Sequence, residues 1–351
     1  MTMETLLKFD TAPHLTAPRR EAAPAGCNRG RRDILAAAFG ASAMFAMPGA
    51  RAQPSQNRLV KITVPQTAGT TNDLVARVLA PHFAEQTGRP CMVENRVGAS
   101  GLIGMDSVAK AAPDGDTLLN NVSNTLTIPY FYKSVPFDVL ADFEPIGVEG
   151  YGNHALVVHQ SLPVANVQEF IAYAKARPGQ LNYASPGLGT HHHLCMELMQ
   201  SMTGIKLTHI PYKGSAGATT DVLAGQVQTM ILPIQIAVAN ARTGKIRVLG
   251  GTRKERFALF PDVPAIAEQG LADFDVEPWF ALWAPRGTPR DVVLRYNRLL
   301  NETLARDDVR QALAKQGLIP TPDTPEALAR KARAEYEMWG KVVAAMNIRP
   351  E

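Results

Sequence analysis

Cysteine is scarce in this chain, with three residues in 351. Cys27 lies upstream of an apolar run and is expected to leave with it. Cys91 and Cys195 are far apart in sequence and read as two buried thiols rather than a disulfide framework. An excess of one charge is also missing. Residues 1–52 carry seven Lys/Arg and four Asp/Glu of totals of 36 and 32, which leaves 29 and 28 and a net charge of +1 for the rest. No basic run or stripe follows, so nucleic acid and anionic membranes are poor partners. No second long apolar stretch occurs, and a soluble mature protein is expected. Catalytic signatures are absent as well. There is no G-x-S-x-G, since Gly98-Ala99-Ser100-Gly101 and Gly214-Ser215-Ala216-Gly217 have the wrong spacing. Neither a Walker A loop nor H-E-x-x-H occurs, and Gly187-Leu188-Gly189 lacks a third glycine.

The first segment that is present reads as an export signal. Arg31-Arg32-Asp33-Ile34-Leu35 precedes the uncharged apolar run Ala36–Met47, and Ala50-Arg51-Ala52 is an A-x-A cleavage site. The run is too short to span a bilayer. The paired arginines resemble a twin-arginine signal. Residues 1–52 are therefore expected to be removed, which makes the product periplasmic.

The mature chain is organised around Leu59–Arg77. Leu59–Pro65 is a β-branched run that predicts a buried strand, and Gln66–Thr71 is a small, polar turn. Leu74, Val75, Val78 and Leu79 then make a helical stripe. Thr71 or Asn72 suits the N-cap, and Asp73 suits the positive end of the helix dipole. Ser185–Thr190 has the same character, with Thr190 as the cap, and Val97–Gly101 is a third small-residue turn. If the first two face each other, their helix N-termini offer two anion sites without fixed positive charge. A dicarboxylate fits that arrangement.

Strand and helix patterns alternate throughout. Strands are expected at Cys91–Arg96, Thr117–Val122, Ile146–Gly150, Ala155–His159, Leu181–Ser185, Leu207–Ile210, Val227–Leu232, Ile246–Thr252 and within Phe274–Ala284. Helices are expected at Leu102–Ala111, Val167–Ala176, Thr190–Met202, Gly217–Ala224, Ile236–Arg242 and Thr324–Met346. Ser123–Phe143 is a long irregular passage. The pattern predicts an α/β fold of two doubly wound domains, each with a mainly parallel sheet. Ligand sites in such folds lie beyond the carboxyl ends of strands. The expected division is 53–153 plus 279–351 for domain 1 and 154–278 for domain 2. Met196, Met199 and Met202 read as a core stripe, and Trp279, Phe280 and Trp283 as packing. His191-His192-His193 points its rings about 100° apart, which disfavours a common metal ion.

From about Arg58 onward the chain resembles the Bug-type receptors of tripartite tricarboxylate transporters. The resemblance is carried by Val64-Pro65 with Gly69 and Asp73–Arg77, Val93-Glu94-Asn95-Arg96 with Gly98-Ala99, and Ala109–Gly115. It continues through Leu181–Ser185, Gly189-Thr190, His193-Leu194, Pro211–Gly214, Leu223–Val227, Phe260–Pro264, and Ala284-Pro285 with Gly287-Thr288-Pro289. It implies a type II, Venus-flytrap periplasmic binding fold that closes around a small organic acid without catalysis or cofactor. The implied ligand-binding residues are Gln66, Thr67, Ala68, Thr70, Thr71, Asn72 and Asp73 in one turn and Ser185, Gly187, Gly189, Thr190 and His193 in the other. Ser123 and Tyr212 match positions near the cleft. The implied partners are a small carboxylate and, transiently, membrane transporter subunits, with the receptor a monomer.

Selectivity positions depart from the family pattern. Gln66 stands where an aromatic is usual and Thr70 where Gly is usual. Ile231-Leu232 replaces an aromatic-Asp pair, which disfavours amino-acid ligands. His191 and His192 replace smaller residues, which narrows the cleft or favours an anionic or aromatic acid. Two other readings stand beside the receptor: an exported hydrolase working through Ser185 or a histidine of 191–193, and a sensory receptor feeding a signalling partner.

Overall fold

Two five-stranded sheets carry the residues described by the computed structural model, 58–345. The export signal assigned to 1–52, Cys27 and the end of the C-terminal helix at Met346 lie outside them. The first sheet runs β2 (Cys91–Asn95), β1 (Val60–Val64), β3 (Thr117–Val122), β10 (Trp279–Pro285), β4 (Phe143–Tyr151). The second runs β7 (Thr208–Pro211), β6 (Asn182–Ser185), β8 (Thr229–Pro233), β5 (His154–His159), β9 (Ile246–Gly251). The helices are α1 (Thr71–Thr87), α2 (Leu102–Ala109), α3 (Ile128–Phe131), α4 (Val167–Lys175) and α5 (His191–Thr203). They continue with α6 (Ser215–Leu223), α7 (Ile234–Ala241), α8 (Arg290–Ala305), α9 (Asp307–Lys315) and α10 (Pro325–Ala345).

Both sheets follow one plan. Three parallel strands form one side, and the next strand in each sheet, β10 or β5, pairs antiparallel with both its neighbours. The expectation of mainly parallel sheets is therefore corrected to mixed ones. The reason is connectivity: β5 follows β4 directly across Gly152-Asn153, and β10 is the returning strand, so neither is reached by a βα crossover. Such a strand is free to run against its neighbours.

Local chemistry explains the elements. The run Val60–Val64 is β-branched and pairs on both sides, so it is almost wholly buried. The strand expected within 274–284 starts only at Trp279, after Pro278, which cannot donate to a ladder. Residues 123–143 are not structureless: a 3-10 turn at Ser123–Thr127 leads into α3. Met196 and Met199 are core residues, whereas Met202 is 39% exposed and drops out of the stripe. Trp279, Phe280 and Trp283 are buried, as packing residues should be. Cys91 and Cys195 are free thiols, half-buried and buried respectively.

Helix α10 joins the two cores. Leu328 and Ala332 pack with Trp279 and Trp283 of the first sheet, while Trp339 and Val343 pack with Phe170, Leu194 and Met199 beside the second. No helix among the described residues is long and apolar enough to cross a membrane.

Candidate functional site

The turn after β1 is built to leave a helix start open. Thr70, one residue earlier than expected, is the N-cap of α1, but its hydroxyl donates to the Thr67 carbonyl (2.8 Å) and makes no cap bond. The first-turn N–H groups of α1 therefore have no side-chain cap, and a helix N-terminus in that state favours an anion. Asp73 is fully engaged. Its carboxylate accepts from the Gly69 N–H (2.9 Å), the Asn95 amide (2.9 Å) and Arg77 Nε (3.0 Å). Burial alone would raise its pKa, but the Arg77 guanidinium, the Gly69 N–H and the Asn95 amide together hold it below the usual value. Asn72 donates to the Gln66 side chain and to the Asn120 carbonyl (3.0 Å). Ala68 is exposed.

The turn after β6 is a tight polar knot. Ser185 Oγ accepts from the Gly187 N–H (3.1 Å) and lies 2.6 Å from His209 Nε2. Thr190 caps α5: its hydroxyl accepts from the His193 N–H (3.4 Å) and donates to the Gly187 carbonyl (2.7 Å). His193 faces inward. Its Nδ1 accepts from the Gly189 N–H (3.2 Å), and its ring packs on His209 and Phe131. Tyr212 donates its hydroxyl to Asp221 (2.6 Å), so that group is already engaged.

These turns open onto one seam between the two halves. Ser123, at the end of β3, places its hydroxyl 3.0 Å from Nε2 of His191, the first residue of α5. Thr127 donates to the Gly189 carbonyl (3.1 Å), and Gln235 of α7 donates to the Thr71 hydroxyl (3.3 Å). A Cβ on Gly187 would lie 2.9 Å from Ser100 Oγ, and one on Gly214 would lie 3.5 Å from the Thr67 methyl. Ala99 and Ser100 both have positive φ (45° and 54°), a strained backbone at the point where the third turn meets Gly187.

Two further carboxyls stand beside the seam, Glu149 buried and Glu335 half-buried. Glu335 of α10 accepts from Trp279 Nε1 and lies in hydrogen-bond reach of Ser123; burial raises its pKa against those bonds. Glu149, at a bulge of β4, accepts only from Asn120 (2.6 Å), and its second oxygen has no partner. Burial pushes its carboxyl up to about 8, with the Asn120 amide pulling the other way.

Thr67, Thr71, Ser123, Gly187 and Gly189 are thus brought to the seam, where Ser100, Thr127, His191 and Gln235 join them. Asp73, His193 and Tyr212 have their polar groups committed within their own halves. The added residues had little signal in the sequence. Ser100 was marked within the Val97–Gly101 turn and His191 as a histidine where the family has a smaller residue, whereas Thr127 and Gln235 were not. Among the described residues no group of three His, Cys, Asp or Glu has metal-binding geometry.

Two α/β halves joined by crossing strands, with helix starts at the seam, define a two-lobed solute-binding protein. Residues 75–348 match the model of the tripartite tricarboxylate transporter family receptor, and the chain belongs to that family. It is 38% identical over 288 residues to Protein BugT of Bordetella pertussis, covering 82% of this chain and 88% of BugT. The R. palustris protein Rpa4515, solved with adipate, is 33% identical with a TM-score of 0.80, covering 85% of this chain and all of that one. MatC from Rhodopseudomonas palustris, solved with bound malate, is 31% identical with a TM-score of 0.76, over 82% and 99% of the two chains.

Proposed function

We propose that this protein is a periplasmic receptor that holds a small carboxylate between its two lobes and delivers it to a tripartite tricarboxylate-type transporter. The lobes are residues 53–153 with 279–351, and 154–278; the receptor acts as a monomer, without cofactor or catalysis. One observation carries this reading: the starts of α1 and α5 border the same interlobe seam, each with a small-residue turn before it. Backbone N–H groups and hydroxyls at two helix starts suit the two ends of a dicarboxylate. Relatives solved with adipate and with malate support the ligand class. The ligand set comprises Gln66–Asn72 and Ser123 on the first lobe and Ser185, Gly187, Gly189 and Thr190 opposite. Asp73, His193 and Tyr212 support these turns. Buried Ile231 and Leu232 offer no partner to a ligand amine, which disfavours amino acids.

The close Ser185–His209 pair has the spacing of a nucleophile and base, yet its setting favours a structural role. Ser185 is completely buried and its hydroxyl already serves Gly187, while His209 stacks on Tyr183 at 4.7 Å. No carboxylate orients His209 among the described hydrogen bonds. Calorimetry against dicarboxylates, tricarboxylates, aromatic acids and amino acids tests the receptor reading. Saturable binding of a carboxylate is expected. Absence of binding across the panel, or turnover abolished by Ser185→Ala, overturns it.

A further inference from the structure

Three imidazoles converge beside the seam in a way the two turns do not explain. His154 opens β5, and its ring centroid lies 5.7 Å from that of His191 and 5.0 Å from that of His192 at the start of α5. His154 and His191 are 5% and 2% exposed, and His192 is half-buried with both ring nitrogens out of solvent. Ser123 from the other lobe closes it on one side through His191 Nε2. Yet His154 Nδ1 and both ring nitrogens of His192 are buried without a hydrogen-bond partner.

That pattern suits a ligand group whatever the tautomers. A neutral imidazole carries one N–H donor and one lone-pair acceptor, so one of the two unpartnered His192 nitrogens is always a donor. A buried donor left unpaired costs about 1–3 kcal/mol, and His154 adds a third unpartnered atom. The cluster suits a compact group that both accepts and donates, as a protonated carboxyl does.

We propose that His154, His191 and His192 form a second ligand subsite that takes the far carboxylate of a dicarboxylate, which enters together with a proton. The subsite rests on the receptor reading above and refines it: His191 and His192 open α5, so the carboxylate at that helix start is the one placed against the rings. A bare carboxylate buried against three neutral rings lacks a counter-charge, whereas one added proton makes a hydrogen-bonded neutral pair. Burial holds His191 near 3 and His192 near 4, and it holds His154 well below its usual value, so the three rings are neutral at pH 7. An anion beside them raises those values, so binding takes up a proton.

The groups around the cluster set the controls. His154 is faced by His191 and His192 from α5, and its backbone N–H is bonded to Thr252. His191 is faced by Ser123, with Glu335 of α10 behind it and Lys331 of the same helix acting on Glu335. Glu149 of β4 is another buried carboxyl near the seam, pushed up to about 8 by burial.

The test is calorimetry between pH 6 and 8 with four- to six-carbon dicarboxylates and monocarboxylates of equal length, in buffers of different ionisation enthalpy. Dicarboxylates should bind up to about tenfold tighter per pH unit lowered, with about one proton taken up. Monocarboxylates should show little of this. His154→Gln and the half-buried His192→Gln should abolish the uptake, with circular dichroism checking that each folds, whereas Glu149→Gln should retain it. Dicarboxylate binding that is independent of pH, or proton uptake unchanged in the folded histidine variants, overturns the subsite alone. Failure of every carboxylate to bind at any pH overturns the receptor reading as well.

Discussion

Ser123 and His191 meet across the two lobes, with hydroxyl and Nε2 3.0 Å apart and both residues buried. One opens the 3-10 turn that follows β3 of the first sheet, and the other begins a helix over the second. Ser123→Ala leaves the imidazole nitrogen unpaired in a closed interior. It should lower stability by about 1–2 kcal/mol in urea unfolding and weaken carboxylate binding. An unchanged midpoint together with unchanged affinity would show that the contact is incidental.

Thr190 caps the helix that carries His191. Its hydroxyl accepts from the His193 N–H and donates to Gly187, so Thr190→Ala removes both bonds. The cost should be about 1 kcal/mol of stability. Affinity should fall further than that, because the turn loses its anchor to the helix start. Titration calorimetry and a thermal melt on the same sample separate the two effects.

Gly187 has φ 142°, and a Cβ there would sit 2.9 Å from Ser100 Oγ across the seam. Gly187→Ala should impair closure and weaken binding at least about tenfold, the equivalent of about 1.4 kcal/mol. Small-angle scattering with and without ligand reads closure directly. Full compaction on ligand addition in this variant would contradict the prediction.

Glu149 makes stability depend on pH. Its carboxyl is raised from 4.5 to about 8 in the fold, so the folded state keeps a proton that the unfolded chain releases. The penalty is absent below pH 4.5 and grows as pH rises towards 8. Glu149→Gln keeps a group that Asn120 can bond and removes the penalty. It should stabilise the protein by about 3 kcal/mol at pH 7 and by almost nothing at pH 4. Equal effects at both pH values would mean that Glu149 is ionised in the fold.

Most elements were legible in the sequence because their signals are local. The β-branched run at Val60–Val64, the small residues of Gln66–Thr70 and the cap at Thr190 each declare a strand, a turn or a helix start within a few residues. Ordered family motifs from Val64 to Pro289 then pointed to the two-lobed receptor. Direction within the sheets was not legible. Whether β10 and β5 run with or against their neighbours depends on how the chain crosses between lobes, and no short window carries that.

Site geometry divides along the same line. Local chemistry was enough to mark two helix starts as candidate anion sites and to disfavour a metal on three consecutive histidines. Distance in sequence hid the rest: Ser123 and His191 are 68 residues apart, and Gln235 and Thr71 are 164 apart. Asp73 and Tyr212 look available as a bare carboxylate and phenol. The fold spends them on Gly69, Asn95 and Arg77, and on Asp221. His154 gave no signal beside its strand, yet it lies against His191 and His192 once β5 packs under α5. Short-range chemistry decides which residues can cap, turn or bind. Only packing decides which of them meet, because a hydrogen bond across the seam is set by where the lobes close and not by the residues next in line.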